Sequence, residues 1–110
     1  MHAKLIDHFQ NPRNVGELAP PAVTVEVSNP VCGDILRLSV LFASGRPVAA
    51  RYKTRGCAAS IAAGSALTEL ILTKDPRSIV PADIEAALGE LSPESKHAAA
   101  LCMDALKRLP

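Results

Sequence analysis

Aromatic side chains are scarce in this 110-residue chain: Trp is absent, and Phe9, Phe42 and Tyr52 are the whole complement. Without aromatic platforms, single-stranded nucleic acid has nothing to stack on. An excess of one charge is missing too. Twelve Lys and Arg face eleven Asp and Glu, a formal net charge of +1, with the cations scattered singly among acids. Non-specific nucleic-acid binding needs clustered cations to neutralise phosphates, so no nucleic-acid partner is expected. Long apolar runs are lacking as well. The uncharged stretch over 57–68 falls well short of the ~20 residues that span a bilayer. The opening Met1-His2-Ala3-Lys4-Leu5-Ile6-Asp7 reaches an acid before an apolar signal segment can form. No membrane partner and a cytoplasmic location are expected.

Cysteine is sparse. Cys32, Cys57 and Cys102 are odd in number, are separated by 24 and 44 residues, and form no CxxC. That spacing excludes a zinc ribbon or thioredoxin-type motif and does not indicate a disulfide framework. There is no Gly-rich phosphate loop and no nucleophile elbow, since Ser65 follows Gly64 inside a helical pattern. Hydrolytic or phosphoryl chemistry is unsupported, and the chain is not expected to be an enzyme. What is plentiful is small apolar residues: 48% of the chain is hydrophobic and Ala occurs eighteen times. The core is therefore expected to be small-residue packing between close helices and a sheet. The length fits a single domain over 1–110, large enough to bury one core without staples.

Leu5, Ile6 and Phe9 recur at helical spacing over 1–10 and stop before Asn11-Pro12, which predicts a short N-terminal helix. A run of turn residues over 11–16 follows, then Pro20-Pro21. Val23, Val25 and Val27 alternate with Thr24, Glu26 and Ser28 as a half-buried strand ended by Asn29-Pro30. Ile35, Leu36, Leu38, Val40 and Phe42 mark a second strand, Ser44-Gly45-Arg46-Pro47 a hairpin turn, and 48–54 a third strand. Three strands joined by short turns predict an antiparallel meander. After Gly56 the period changes to a long Ala-rich helix, apolar around most of its circumference and hence central. Ile84, Ala87, Leu88 and Leu91 predict a short helix opening at Pro81. Ser92 as N-cap, Pro93 at the first helical position and Glu94 just inside open a last helix running to about Leu109. Strands first and helices second predict an α+β fold: a three-stranded antiparallel sheet with helices packed on one face.

Five residues at four places in the chain could carry chemistry. In Cys32-Gly33-Asp34, between the first two strands, a thiol and a carboxylate hinged by Gly can converge on one metal ion. The same residues also read as a loop Cys beside a turn-stabilising Asp. Cys57 follows Arg55-Gly56 where the third strand hands over to the long helix. The amides and macrodipole at a helix start favour a thiolate, and Lys53 and Arg55 are expected to push the same way; the alternative is a small residue filling a tight corner. His97, expected in the second turn of the last helix, reads as solvent-facing or as a ligand. Cys102 lies mid-face on that helix, where Cys behaves as a small hydrophobe.

Taken together these positions match a known pattern. From Asp7-His8-Phe9-Gln10-Asn11-Pro12-Arg13-Asn14-Val15-Gly16, through Pro30-Val31-Cys32-Gly33-Asp34, to Lys53-Thr54-Arg55-Gly56-Cys57-Ala58-Ala59-Ser60, the chain resembles the IscU/NifU-type iron-sulfur cluster assembly scaffolds. The likeness continues to Thr68-Glu69 and returns at His97 and Asp104-Ala105-Leu106. The resemblance implies a SufE/NifU-like fold whose binding edge gathers Cys and Asp from one loop, Cys from the strand-to-helix corner, and a His-Cys pair at the start of the last helix. Cys32, Asp34, Cys57 and His97 match, and are the implied ligands of iron or a labile 2Fe-2S cluster. Zinc is the alternative occupant, since two thiolates, a carboxylate and an imidazole already complete a tetrahedral shell.

The fifth position departs: Ala98 stands where the family has Cys. Cys102 is one helical turn further on, about 6 Å along the axis, against metal–sulfur bonds of ~2.3 Å. It reads as a core residue, and as a substitute ligand only if the helix start unwinds. The missing Cys is the family's best candidate for receiving sulfur from a cysteine desulfurase, so its loss bears on de novo cluster synthesis more than on metal binding. Some members of the family carry a Leu-Pro-Pro-Val-Lys segment recognised by a dedicated Hsp70-type chaperone; here the stretch is Leu91-Ser92-Pro93-Glu94-Ser95, so that chaperone is not an expected partner. The resemblance implies a cysteine desulfurase and iron-sulfur acceptor proteins instead. The expected function is a non-enzymatic scaffold or carrier that binds iron or a labile 2Fe-2S cluster and passes it on. The alternatives are a zinc-binding sulfur-acceptor accessory protein of a cysteine desulfurase, and a degenerate interaction module without metal.

Overall fold

A computed structural model of the chain describes residues 2–30 and 33–110, apart from the side chain of residue 94. Three strands, β1 (Val23–Asn29), β2 (Asp34–Ala43) and β3 (Arg46–Arg55), form an antiparallel sheet in the order β1-β2-β3. The β2–β3 turn has positive φ at both central residues, Ser44 at 53° and Gly45 at 77°, the backbone twist that suits a two-residue hairpin. The helices are α1 (Ala3–Gln10), α2 (Ala58–Thr73), α3 (Pro81–Ala87) and α4 (Lys96–Lys107). α2 packs across β3 and β2, α4 across β1 and β2, α1 lies on α2, and α3 packs against α2 and α4. The expected α+β meander with its helical face is the observed architecture.

Period-two alternation sets what faces the helices. Val27, Leu36, Leu38, Val40, Ala50 and Tyr52 turn inward into one core with the alanines of α2 and α4. On the opposite face Arg37 pairs with Glu17 and Glu26. α2 is buried on nearly every side, down to Ser60, Ser65 and Thr68, because sheet and helices surround it. Its small residues allow the close approach. A Cβ placed on Gly64 would lie 2.4 Å from the Tyr52 ring, and the Tyr52 hydroxyl donates to the Ile61 carbonyl at 2.7 Å. A helix-interior Gly is less favourable than Ala by about 1 kcal/mol; here it makes room for the ring.

The buried polar groups of α2 receive the N-terminal segment. Ser65 Oγ lies 2.7 Å from His8 Nδ1 and accepts from the Arg13 amide at 2.9 Å. Asn14 donates to Thr68 Oγ1 at 3.1 Å. The first of the resemblance's three motifs is thus a docking segment that satisfies polar atoms inside the core, as burial demands.

Two details differ from expectation. Residues 11–16 are more than a run of turns. The Gly16 amide donates to the Tyr52 carbonyl and the Tyr52 amide to the Asn14 carbonyl, both at 2.9 Å, so the segment covers the outer edge of β3. Those bonds are backbone to backbone, and the side-chain pattern carries no trace of them. The last helix starts later than expected. Pro93–Ser95 forms a 3-10 turn, closed by the Ser95 amide on the Ser92 carbonyl at 2.9 Å, and α4 begins at Lys96 and ends at Lys107. Tightened i→i+3 turns are common at helix starts. His97 therefore sits in the first turn of α4, where the sequence pattern had placed it in the second. Among the described residues, no helix is long and apolar enough to cross a membrane.

Candidate metal centre

Three element ends meet at one rim of the molecule. Asp34 opens β2, Cys57 is the N-cap of α2, and His97 lies in the first turn of α4. The sheet register explains the first pairing: Ile35 stands opposite Arg55, so Asp34 faces the chain as it leaves β3 for Cys57. α4, packed on β1 and β2, brings in His97. Gly56 is required by proximity, since a Cβ there would fall 2.3 Å from Asp34 Oδ1.

The resulting triangle is tight. His97 Nε2 lies 3.0 Å from Asp34 Oδ2 and 3.4 Å from Cys57 Sγ, and Sγ is 3.5 Å from Oδ2. One ligand atom from each residue lies within 4.8 Å of the others. Metal–ligand bonds of about 2.0–2.3 Å in tetrahedral geometry set neighbouring ligand atoms about 3.3–3.8 Å apart. The observed edges are close to that size, so one ion fits with adjustments of a few tenths of an ångström. The donor set is mixed, and thiolate, imidazole and carboxylate together suit zinc or iron. Asp34 forms the floor with a side chain 4% exposed, His97 is 22% exposed, and Cys57 stands at the surface. The centre can be reached from solvent.

Burial alone would push the Asp34 carboxyl up. Hydrogen bonds from the Ser60 hydroxyl, the Cys57 thiol and amide, and His97 outweigh it and hold the group below the ordinary carboxylate range. Cys57 follows the same logic. Burial raises its thiol, the Ser60 hydroxyl and amide and the His97 ring lower it by more, and the Asp34 charge works against them. The Ser60 amide is one of the helix-start amides expected to favour the thiolate; the Ser60 hydroxyl and His97 join it, and the strand cations Lys53 and Arg55 are not among the causes. Cys57 is an exposed N-cap rather than a buried corner filler.

Of the other positions singled out in the sequence, Cys32 lies outside the described residues. Cys102 is buried within the core on α4, and burial pushes its thiol up to about 12. Thiolates, not thiols, ligate metals, and Cys102 is not part of the ligand cluster. Ala98 is fully buried, so its side chain packs in the core. Sequence reasoning assigned no role to Ser60, whose hydroxyl donates to Asp34 Oδ2 at 2.6 Å and touches Cys57 Sγ at 3.4 Å. Its signal was positional: a hydroxyl three residues after a cysteine that caps a helix.

Comparison with known proteins follows the same lines. Residues 1–109 match the family described as NifU-like N terminal domain. The chain is 43% identical to the bifunctional protein NifU/MnmA of Rubrobacter xylanophilus, over 96% of this chain but 22% of that protein. It is 38% identical to the iron-sulfur cluster assembly scaffold protein IscU 1 of Archaeoglobus fulgidus, over 96% of this chain and 71% of that one. Among solved structures, a candidate iron-sulfur cluster assembly scaffold protein for the SUF system from Fervidobacterium islandicum superposes with a TM-score of 0.72 at 20% identity. That superposition covers 97% of this chain and 93% of the other, and shows the likeness of fold.

Proposed function

The chain belongs to the family of the NifU-like N terminal domain, and on that footing we propose that it is an iron-sulfur scaffold or carrier, one domain over 1–110, that takes up iron or a labile 2Fe-2S cluster as cargo and passes it to acceptor proteins. The observation that carries this reading is the convergence of Asp34, Cys57 and His97, whose ligand atoms lie within 4.8 Å of one another. Cys32, two residues before Asp34, supplies the fourth donor. A carboxylate and an imidazole in place of two thiolates hold a cluster less firmly than four cysteines, which suits a protein that must let its cargo go. The role is non-enzymatic. A cysteine desulfurase is the sulfur source and iron-sulfur apoproteins are the recipients, without a dedicated Hsp70-type chaperone. Anaerobic reconstitution with iron and sulfide tests the proposal. Wild type is expected to develop a sulfide-to-iron charge-transfer band that Cys57→Ala lacks, and no band in wild type would overturn it.

A second reading has an observation of its own. The triangle of 3.0, 3.4 and 3.5 Å edges is already the size of a single-ion site, which favours a zinc protein that accepts sulfur from a cysteine desulfurase. Elemental analysis of protein purified without chelator separates the two. One zinc per chain, lost in Cys57→Ala, supports the zinc reading; iron and acid-labile sulfide support the scaffold. Neither metal nor metal-dependent stabilisation would leave an interaction module.

A further inference from the structure

We propose that Ser60 is a positioning residue of this centre: its hydroxyl fixes the Asp34 carboxylate so that Oδ2 faces Cys57 and His97. The inference rests on the metal-binding reading above. Ser60 is 2% exposed and Asp34 3%, so bulk water does not compete for either group. Ser60 Oγ donates to Asp34 Oδ2 at 2.6 Å, a short, charge-assisted contact. The other oxygen, Oδ1, accepts from the Cys57 amide at 3.3 Å. The torsion that turns a carboxylate about its own axis is soft. Two donors on two different oxygens remove that freedom, one from the N-cap of α2 and one from its first turn.

The hydroxyl has one proton, and the 2.6 Å contact to Oδ2 uses it. The same Oγ lies 3.4 Å from Cys57 Sγ. The same Oδ2 that Ser60 holds also faces His97 Nε2 at 3.0 Å and Cys57 Sγ at 3.5 Å. Asp34 is thereby presented as a ligand through one oxygen. Groups that orient metal ligands in this way typically change affinity by about 10–100-fold when removed.

The test compares wild type, Ser60→Ala and Ser60→Thr by titration with cobalt(II) against a chelator, reading both affinity and the d–d absorption bands. Ser60→Ala is expected to bind about 10–100-fold more weakly, with altered bands, while Ser60→Thr, which keeps the hydroxyl, restores both. A merely structural role would shift unfolding but leave the bands unchanged. Wild-type affinity and bands in Ser60→Ala would overturn the inference. Metal-free crystal structures of wild type and Ser60→Ala give a second measurement. The Asp34 carboxylate is expected to rotate away from His97 in the variant, and a carboxylate left in place would overturn the inference. If wild type takes up no cobalt, the metal-binding reading falls by itself, and the metal-free pair of structures decides the role of Ser60.

Discussion

Asp34 is a buried carboxylate kept ionised by its neighbours. Its pKa is held low in the folded state by donors that outweigh burial, so the unfolded chain takes up the proton first as pH falls. The resulting stability is present above the ordinary value of 3.8 and is lost as pH drops through the lower, folded value. Urea unfolding of metal-free protein between neutral pH and pH ~3 is expected to show a steeper loss for wild type than for Asp34→Asn; parallel curves would place the donors elsewhere. Gly64 is the other residue at which one atom decides the outcome. Gly64→Ala should gain helix propensity, yet it sets a methyl 2.4 Å from the Tyr52 ring. Overpacking is expected to win, with a net destabilisation of about 1–3 kcal/mol read from the urea midpoint. A raised midpoint would mean that the ring yields.

Among the elements, α1 is joined to the core partly through one buried hydroxyl. Its buried His8 and the chain that follows are held by Ser65 Oγ. Ser65→Ala leaves the Arg13 amide and the His8 ring without that partner, a loss of about 1–3 kcal/mol. Hydrogen exchange over 3–16 should accelerate while β2 stays protected; uniform acceleration would show that α1 and the sheet open together. pH acts on the same joint. Burial, with the Arg13 charge second, lowers the His8 pKa below 6.5. The unfolded chain protonates first, so stability present above pH ~6.5 is lost as pH falls toward the folded value. His8→Gln is expected to flatten the thermal-stability slope between pH ~7 and ~5 relative to wild type.

For the molecule as a whole, the centre joins β2, α2 and α4, elements far apart in the chain, so an ion held there binds the folded state and not the unfolded one. Zinc at one hundred times its dissociation constant should stabilise the protein by about 2.7 kcal/mol. Thermal scans are expected to show that shift in wild type, its reversal by chelator, and no shift in Cys57→Ala. The shift should shrink in acid, because thiolate and imidazole must shed protons to bind. A shift that survives in Cys57→Ala would locate the ion at another site.

Much of this was legible in the residues. The alternating valines of β1, the Ser44-Gly45 turn and the apolar girth of α2 report short-range periodicity, and short-range periodicity is what a linear pattern records. The donors at 34, 57 and 97 were legible as residue types within local motifs, and the resemblance grouped them. The edge pairing of 11–16 with β3 was not, because it is made by backbone groups that every residue carries. The 3-10 start of α4 was not, because the same Ser-Pro opening serves either helix type. Ser60 acquires its role only when α2 is laid beside the start of β2. The sequence by itself determined the donors this protein owns and the elements that carry them. Only the tertiary structure decided which donors meet, because the sheet register and the packing of α4 fix distances between residues that are far apart along the chain.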